Sequence, residues 1–382
     1  MENGKAQQLS WKQVNGWRLA QHYLIDRAAP KAMTEVVRRV GALQAQLMSA
    51  AELQLWARID GLNPEDVQKA LWEQRTLIKS WVLRGTLHLI AAEDFPYYVA
   101  ALSEVLLKFY RRGSWLKYNQ VTQAQVDAIV EGIDATLGEK PMSRKQLAEA
   151  IAQRVGSPEL EQRLLSGWGV LLKPAAVQGR IIFGISEGQN VTFMHPRHWM
   201  QKQDEVDVET AFRKLARRYL NAYGPASAED FGHWFGMQPA DAKKAFRLLG
   251  DEIEQVEIEG YKGWALRETL DELEKGEHVP SVRLLPYFDP YVISASKHSD
   301  YILDAAHKTR VYRAQGWISP VVLVDGRMEG VWEHEMKKGK TVVTITPFAK
   351  FNKSVQQGIE AEAERLGAFL SAESQVVYEE LK

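Results

Sequence analysis

Three short stretches of the chain combine residue types that can act on a polar substrate. Gln44-Ala45-Gln46 sets two uncharged amides two residues apart, and Arg84-Gly85-Thr86-Leu87-His88-Leu89 interleaves a cation, a hydroxyl and an imidazole with small and apolar residues. Leu284-Leu285-Pro286-Tyr287-Phe288-Asp289-Pro290-Tyr291 brackets an aspartate between prolines. An amide pair supplies carbonyl acceptors and NH2 donors without a strong base. The two glutamines fall inside the apolar repeat Val36, Val37, Val40, Leu43, Leu47 and Ala50, which predicts a helix. Residues two apart on a helix point roughly 200° from one another, so both reach one site only at a cleft-lining or distorted helix end. The plainer alternative leaves one amide in solvent and the other at a domain seam, and the residues alone favour it. Arg84, Thr86 and His88 share parity, which on a strand puts them on one side. That side is either the polar outer face of a β-wing or a surface touching a nucleic-acid backbone. Asp289 reads as the centre of a structured turn.

Other chemistries lack their residues. With no cysteine, the chain has no disulfides, thiolate nucleophiles or Cys-ligated metals. GxxxxGK[ST], GxGxxG after a strand, GxSxG, HExxH and an EF-hand loop are all absent. His195 and His198 lie three apart beside Pro196, in a loop pattern with no carboxylate at ligand spacing, so neither a metal nor another cofactor is expected. The first 17 residues carry no apolar core segment and no apolar run reaches the roughly 18 residues of a bilayer span, so neither export nor membrane anchoring is expected. A cytoplasmic protein, associated with the nucleoid if it binds DNA, is the corresponding expectation. The formal net charge of −1 hides an asymmetry. Residues 1–120 carry 16 basic and 11 acidic side chains, whereas residues 121–270 carry 18 and 21. An anionic partner is drawn to the N-terminal third.

The elements that must position these residues follow a repeated order. Helical spacing from Trp11 onward, with Pro64 opening another helix, precedes alternation over Leu77–Leu83 and a Gly85 break into Thr86–Ile90, a two-stranded hairpin. The order returns with helices over Gln125–Leu137, Arg144–Val155 capped by Ser143, and Glu159–Leu172, then a hairpin of Arg180–Gly184 and Asn190–Met194. A shorter third version runs through Val208–Tyr223, Ser227–Trp234 and Pro239–Leu248 to Ile253–Ile258 and Gly263–Leu266. Three helices and a hairpin make a winged helix-turn-helix. The fold class expected is therefore α+β, with three tandem winged helices over 1–120, 121–204 and 205–268. Glu268–Gly276 reads as a linker. A small C-terminal α+β module over 277–382 follows, with strands at Val282–Leu285, Trp317–Val324, Gly330–His334 and Thr341–Thr346, a hairpin turn at Asp325-Gly326, and a helix over Lys353–Leu370.

The ordered set LQAQ (Leu43–Gln46), RGTLHL (Arg84–Leu89), LLPYFDPY (Leu284–Tyr291) and VVLVDGRMEGVW (Val321–Trp332) resembles the AlkZ/YcaQ-like family of winged-helix DNA glycosylases, over about Val14 to Leu370. The resemblance implies tandem winged helices around a DNA-binding cleft and excision of alkylated purines, including the unhooking of interstrand crosslinks. In that family a Gln-x-Gln, or a Gln-x-Asp in a sister branch, marks the active site; the matching positions here are Gln44 and Gln46. Arg84, Thr86 and His88 are then the expected DNA contacts. The expected partner is double-stranded DNA with alkylated or crosslinked purines, with no membrane and no obligate protein partner. The chain departs from the family after Asp289-Pro290, where Ser294-Ala295-Ser296 replaces basic residues and Lys297 is the nearest cation. The rival expectation is a non-enzymatic winged-helix regulator, because fold does not determine function.

Overall fold

The computed structural model describes residues 7–166, 169–188, 190–201, 204–276, 280–295 and 299–379. The chain divides into two compact units that are discontinuous in sequence: Met1–Val67, Arg217–Phe231 and Leu249–Lys382 form unit 1, and Gln68–Ala216 with Gly232–Leu248 form unit 2. This partition passes through the first and third helix–hairpin stretches instead of running between them.

Unit 1 begins with Gln7–Leu9, a strand that pairs in parallel with Ile253–Ile258, which itself pairs antiparallel with Tyr261–Leu266. The helix Trp11–Gln21 follows at once because Ser10 closes a capping box with Gln13. Its apolar face places Val14 and Trp17 against Val256, Ile258, Ala265 and Leu273. Leu273 corrects the expected linker. The stretch contains the helix Leu270–Glu274, and Leu273 is fully buried in this core. Polar composition masked a single inward-facing turn.

The C-terminal part of unit 1 is a five-stranded sheet. Val282–Leu285, Val321–Val324, Arg327–Lys337 and Lys340–Pro347 pair antiparallel in that order. The helix Lys353–Phe369 then crosses back so that Glu373–Tyr378, a strand not anticipated from sequence, pairs in parallel with Lys340–Pro347. Asp325 and Gly326 turn the chain with φ of 51° and 82°, the two positive values that a tight two-residue hairpin requires.

Unit 2 contains the hairpin Leu77–Trp81 and Leu87–Ala91, the helix Phe95–Tyr110, and a group of helices over Gln123–Thr136, Arg144–Val155 and Pro158–Leu165. Thr122 and Ser143 each cap their helix through a box with the glutamine three residues on. Ile182–Glu187 and Asn190–Met194 form a second hairpin with Met142–Ser143 at its edge. Trp81 packs against Phe183 at 4.8 Å and Phe193 at 6.2 Å between ring centres, tying the two hairpins together. The overall class is mixed α+β. No helix among the described residues is long and apolar enough to cross a membrane.

Candidate active site

The helix expected to run through the two glutamines stops before them. Met33–Val40 is helical, Gly41 takes φ 85°, Leu43–Gln44 is a two-residue strand, and the chain bends at Gln46 and Leu47 before the helix Met48–Trp56 begins. Gly41 is the residue that permits this break, since only glycine enters that region without a Cβ clash. The consequence is geometric. Burial alternates along the segment: Leu43 and Ala45 are fully buried while Gln44 and Gln46 are half-buried. The roughly 200° separation expected of a helix does not apply.

This connector is held from beneath by a buried polar group of residues in unit 1. Gln54, in the helix that follows, is wholly buried and its Nε2 donates to the carbonyl of Gln44 at 3.1 Å and to that of Tyr287 at 3.1 Å. One amide therefore couples the Gln-Ala-Gln segment to the Pro-Tyr-Phe-Asp-Pro loop. Arg58 donates from Nη1 to the carbonyl of Gln54 at 2.9 Å and grips Asp289 with both terminal nitrogens, at 2.7 and 2.8 Å. Both members of that pair are fully buried. Asp289 also accepts from the backbone N–H of Tyr291 at 2.9 Å, capping the helix Pro290–Ser294, in keeping with the turn expected at this position. The Asp289 carboxylate is thus engaged in three hydrogen bonds, two of them charge-assisted from Arg58. Ser296 and Lys297 lie outside the described residues.

Beneath Arg58, His22 is fully buried with Nε2 3.2 Å from the carbonyl of Ala222. Burial, reinforced by the charge of Arg58, pushes its pKa well below the ordinary histidine value. It is a neutral filler of the site's floor. The carbonyls at the end of the Met48–Trp56 helix are capped by cations, Arg27 on Ala57 at 3.0 Å and Arg365 on Trp56 and Ile59 at 3.2 Å each. Glu362, almost fully buried, pairs with Arg27 at 2.6 Å and fixes that clamp.

In unit 2 the structure corrects the expected parity of Arg84, Thr86 and His88. Arg84 sits in the turn Leu83–Gly85 with φ 54°, and the strand begins only at Leu87. The three residues are linked through this turn instead of lining one strand face. Thr86 Oγ1 donates to the carbonyl of Leu83 at 3.1 Å, and His88 Nδ1 lies 2.9 Å from the carbonyl of Thr86. His88 is 1% exposed. Burial and the neighbouring Arg84 charge lower its pKa to about 3, so it is a neutral structural residue with no surface to offer a phosphate. Arg84 is half-buried and donates from Nη1 to the carbonyl of Trp234 at 2.5 Å. Gly236 allows this approach, since a Cβ there would lie 2.8 Å from the Arg84 Cα. The glutamines belong to unit 1 and Arg84, Thr86 and His88 to unit 2. His195 accepts from the backbone N–H of Arg197 at 3.1 Å and pairs with Asp134 at 2.8 Å, the geometry of a loop cap.

The family model described as DNA glycosylase AlkZ-like matches residues 37–369, which contain the Gln-Ala-Gln segment, the Arg84 turn and the Asp289 loop. The chain belongs to the AlkZ-like DNA glycosylase family. Its sequence is 33% identical over 361 residues to the interstrand DNA cross-link repair glycosylase of Streptomyces sahachiroi, covering 93% of this chain and 95% of that protein. Its fold matches the solved structure of the Streptomyces sahachiroi DNA glycosylase AlkZ with a TM-score of 0.87 and 31% identity, over 97% of this chain and all of the other. These likenesses make the chain an enzyme of DNA repair, a DNA glycosylase and not a transcriptional regulator. Gln54, Arg58 and Tyr287 were not singled out from sequence, since the contacts that join them span more than 230 residues.

Proposed function

We propose that this glycosylase hydrolyses the N-glycosidic bond of N7-alkylated purines in double-stranded DNA, and of crosslinked purines as the name of its Streptomyces sahachiroi relative indicates. Gln44 and Gln46 position the water. The observation that carries this reading is the break of the helix before Gln44-Ala45-Gln46, where two neutral amides stand half-buried on either side of the fully buried Ala45.

An N7-alkylated purine is already cationic, so it departs without a strong general acid. The water oxygen forms a bond to the anomeric carbon, the bond from that carbon to purine N9 breaks, and its electron pair neutralises the ring. The water's proton passes to solvent. Amide carbonyls accept from the water and NH2 groups donate to the sugar, which is positioning and dipole work around an oxocarbenium-like transition state. Because neither amide is an efficient base, unmodified purines are poor substrates, and selectivity follows. Crosslinked bases cannot swing freely out of the duplex, which favours an open site over a closed pocket.

The three helix–hairpin stretches fit winged helices over 1–120, 121–204 and 205–268, with the C-terminal module following from 277, and the Arg84 turn fits a contact to the DNA backbone with Thr86 beside it. The tip of the long hairpin Arg327–Lys337 and Lys340–Pro347 carries Lys337, paired with Glu335, Lys340, paired with Glu373, and Lys338, beside Met336, which is 57% exposed. A cytoplasmic, nucleoid-associated location fits these features. Incubating the protein with oligonucleotides carrying N7-methylguanine or a nitrogen-mustard crosslink, then revealing abasic sites with hot alkali, tests the proposal. Strand breaks at the lesion are expected; their absence on both substrates would exclude this lesion class.

A further inference from the structure

Unit 2 holds an open cavity of about 400 Å³ whose walls include Arg84, Phe109, Tyr110, Trp115, Tyr118 and Lys173, with no carboxylate among its lining residues. The wall comes from the most aromatic and basic stretch of the chain. Lys108-Phe109-Tyr110-Arg111-Arg112-Gly113-Ser114-Trp115-Leu116-Lys117-Tyr118 contains four aromatic and four basic residues and no acid. The end of the helix Phe95–Tyr110 and the short helix Gly113–Tyr118 fold this stretch around the cavity.

Its aromatic rings divide into a packed wall and one exposed ring. Tyr110 and Trp115 are buried and meet edge to face at 5.2 Å. Tyr118 is 85% exposed, whereas Phe109, 42% exposed, meets Tyr110 edge to face at 5.5 Å and has the Arg112 guanidinium 5.7 Å from its ring centre. An exposed tyrosine beside a cavity has a π-face to stack upon, and every nucleobase has one to match. The cations complete the chemistry. Lys173 is half-buried with no acid paired to it among the described residues, and burial lowers its pKa. Such an ammonium lacks the counter-charge that usually compensates desolvation. Ser114 and Asn119 line the same cavity. Asn119 donates its Nδ2 to the carbonyl of Trp115 at 2.9 Å, leaving its side-chain oxygen as an acceptor.

We propose that this cavity binds one unstacked nucleotide of single-stranded DNA, the base stacked on Tyr118 and the phosphate held by Lys173. The volume suits a single nucleotide, and a base stacked within a duplex has no free face to present. A strand is favoured over a free nucleotide because Arg111, Arg112 and Lys117, all exposed and without acid partners among the described residues, carry positive charge beyond the cavity. The proposal does not depend on the role given to Gln44 and Gln46.

Anisotropy titrations of the full chain with labelled blunt duplex, and with the same duplex bearing a three-nucleotide single-stranded gap, test it. The wild type is expected to prefer the gapped duplex. Tyr118→Ala weakens gapped-duplex binding by about tenfold, on the scale of one lost base stack, while Tyr118→Phe keeps it within twofold. Lys173→Gln lowers the salt slope for a single-stranded oligonucleotide by about 0.7, the value of one phosphate contact. Circular dichroism confirms that each variant is folded. No preference for the gap in the wild type, or an undiminished preference in folded Tyr118→Ala, would overturn the proposal. Complete displacement of the gapped duplex by millimolar thymidine monophosphate would replace the strand with a free nucleotide as occupant and overturn it equally.

Discussion

Arg58 and Asp289 face each other with two parallel hydrogen bonds, at 2.7 and 2.8 Å, in a place where neither side chain touches solvent. The pair joins the second residue after the Met48–Trp56 helix to the turn that opens the Pro290–Ser294 helix. Removing one member strands the other charge in low dielectric. Asp289→Ala should therefore cost about 3–5 kcal/mol, the scale for breaking a buried ion pair, and should also uncap the helix. Urea unfolding of unit 1 measures this; a loss under 1 kcal/mol would show that Arg58 finds solvent in the variant.

Gln54 links the same buried group to the connector above it. Gln54→Leu removes the donor to the carbonyls of Gln44 and Tyr287 at similar volume, and should cost about 1–3 kcal/mol in stability as buried acceptors are left unpaired. If the connector's geometry matters to turnover, kcat falls while KM holds, because DNA contacts elsewhere are intact. A variant with wild-type kcat would show that the connector keeps its shape without this tie.

How much of this was legible depends on the range of the interactions. The Ser143 cap, the Asp325-Gly326 turn and the helix Val208–Tyr223 are written in adjacent residues, and the structure has them where the sequence placed them. The Gln-Ala-Gln segment misled because Leu43 and Leu47 continue the apolar spacing of the preceding helix across a break. Gly41 was the local signal for that break, a glycine just past the last apolar turn. The Arg84 turn misled similarly: parity assumes a strand, and Arg84 and Gly85, both with positive φ, remove it. The tie between Gln54 and Tyr287 has no sequence signature, since it forms only when distant segments pack.

His22 and His88 make stability depend on pH in a predictable direction. Both have folded-state pKa values below the ordinary histidine value, about 3 for His88, so below about pH 6.5 the unfolded chain binds protons that the folded one refuses. Stability is full above that pH and drains as pH falls toward 3. Each histidine contributes a slope of up to about 1.4 kcal/mol per pH unit in that window. Denaturation midpoints of His88→Asn between pH 6 and 4 should fall less steeply than those of the wild type by about one proton. An unchanged slope would mean that His88 is protonated in the folded protein.

Arg84 supplies the test of the proposed backbone contact. Arg84→Ala should weaken binding to all duplex sequences alike and reduce the salt slope by about 0.9, one phosphate's worth. The affinity is read at low and high salt by anisotropy. Equal affinity at low salt would assign Arg84 to its bond with the Trp234 carbonyl alone.

Single-turnover excision of N7-methylguanine from an oligonucleotide tests the proposed positioning of the attacking water by the two neutral amides, Gln44 and Gln46. Gln44→Ala and Gln46→Ala should each slow excision by about 10²–10³-fold, the scale for one preorganised polar group, with DNA affinity nearly unchanged because the interaction belongs to the transition state. The double variant should lose much less than the product of the two factors, as groups that act together do. Gln46→Asp, which introduces a base at the same place, should retain excision. Wild-type excision rates in both alanine variants, on a substrate the wild type cleaves, would contradict the account.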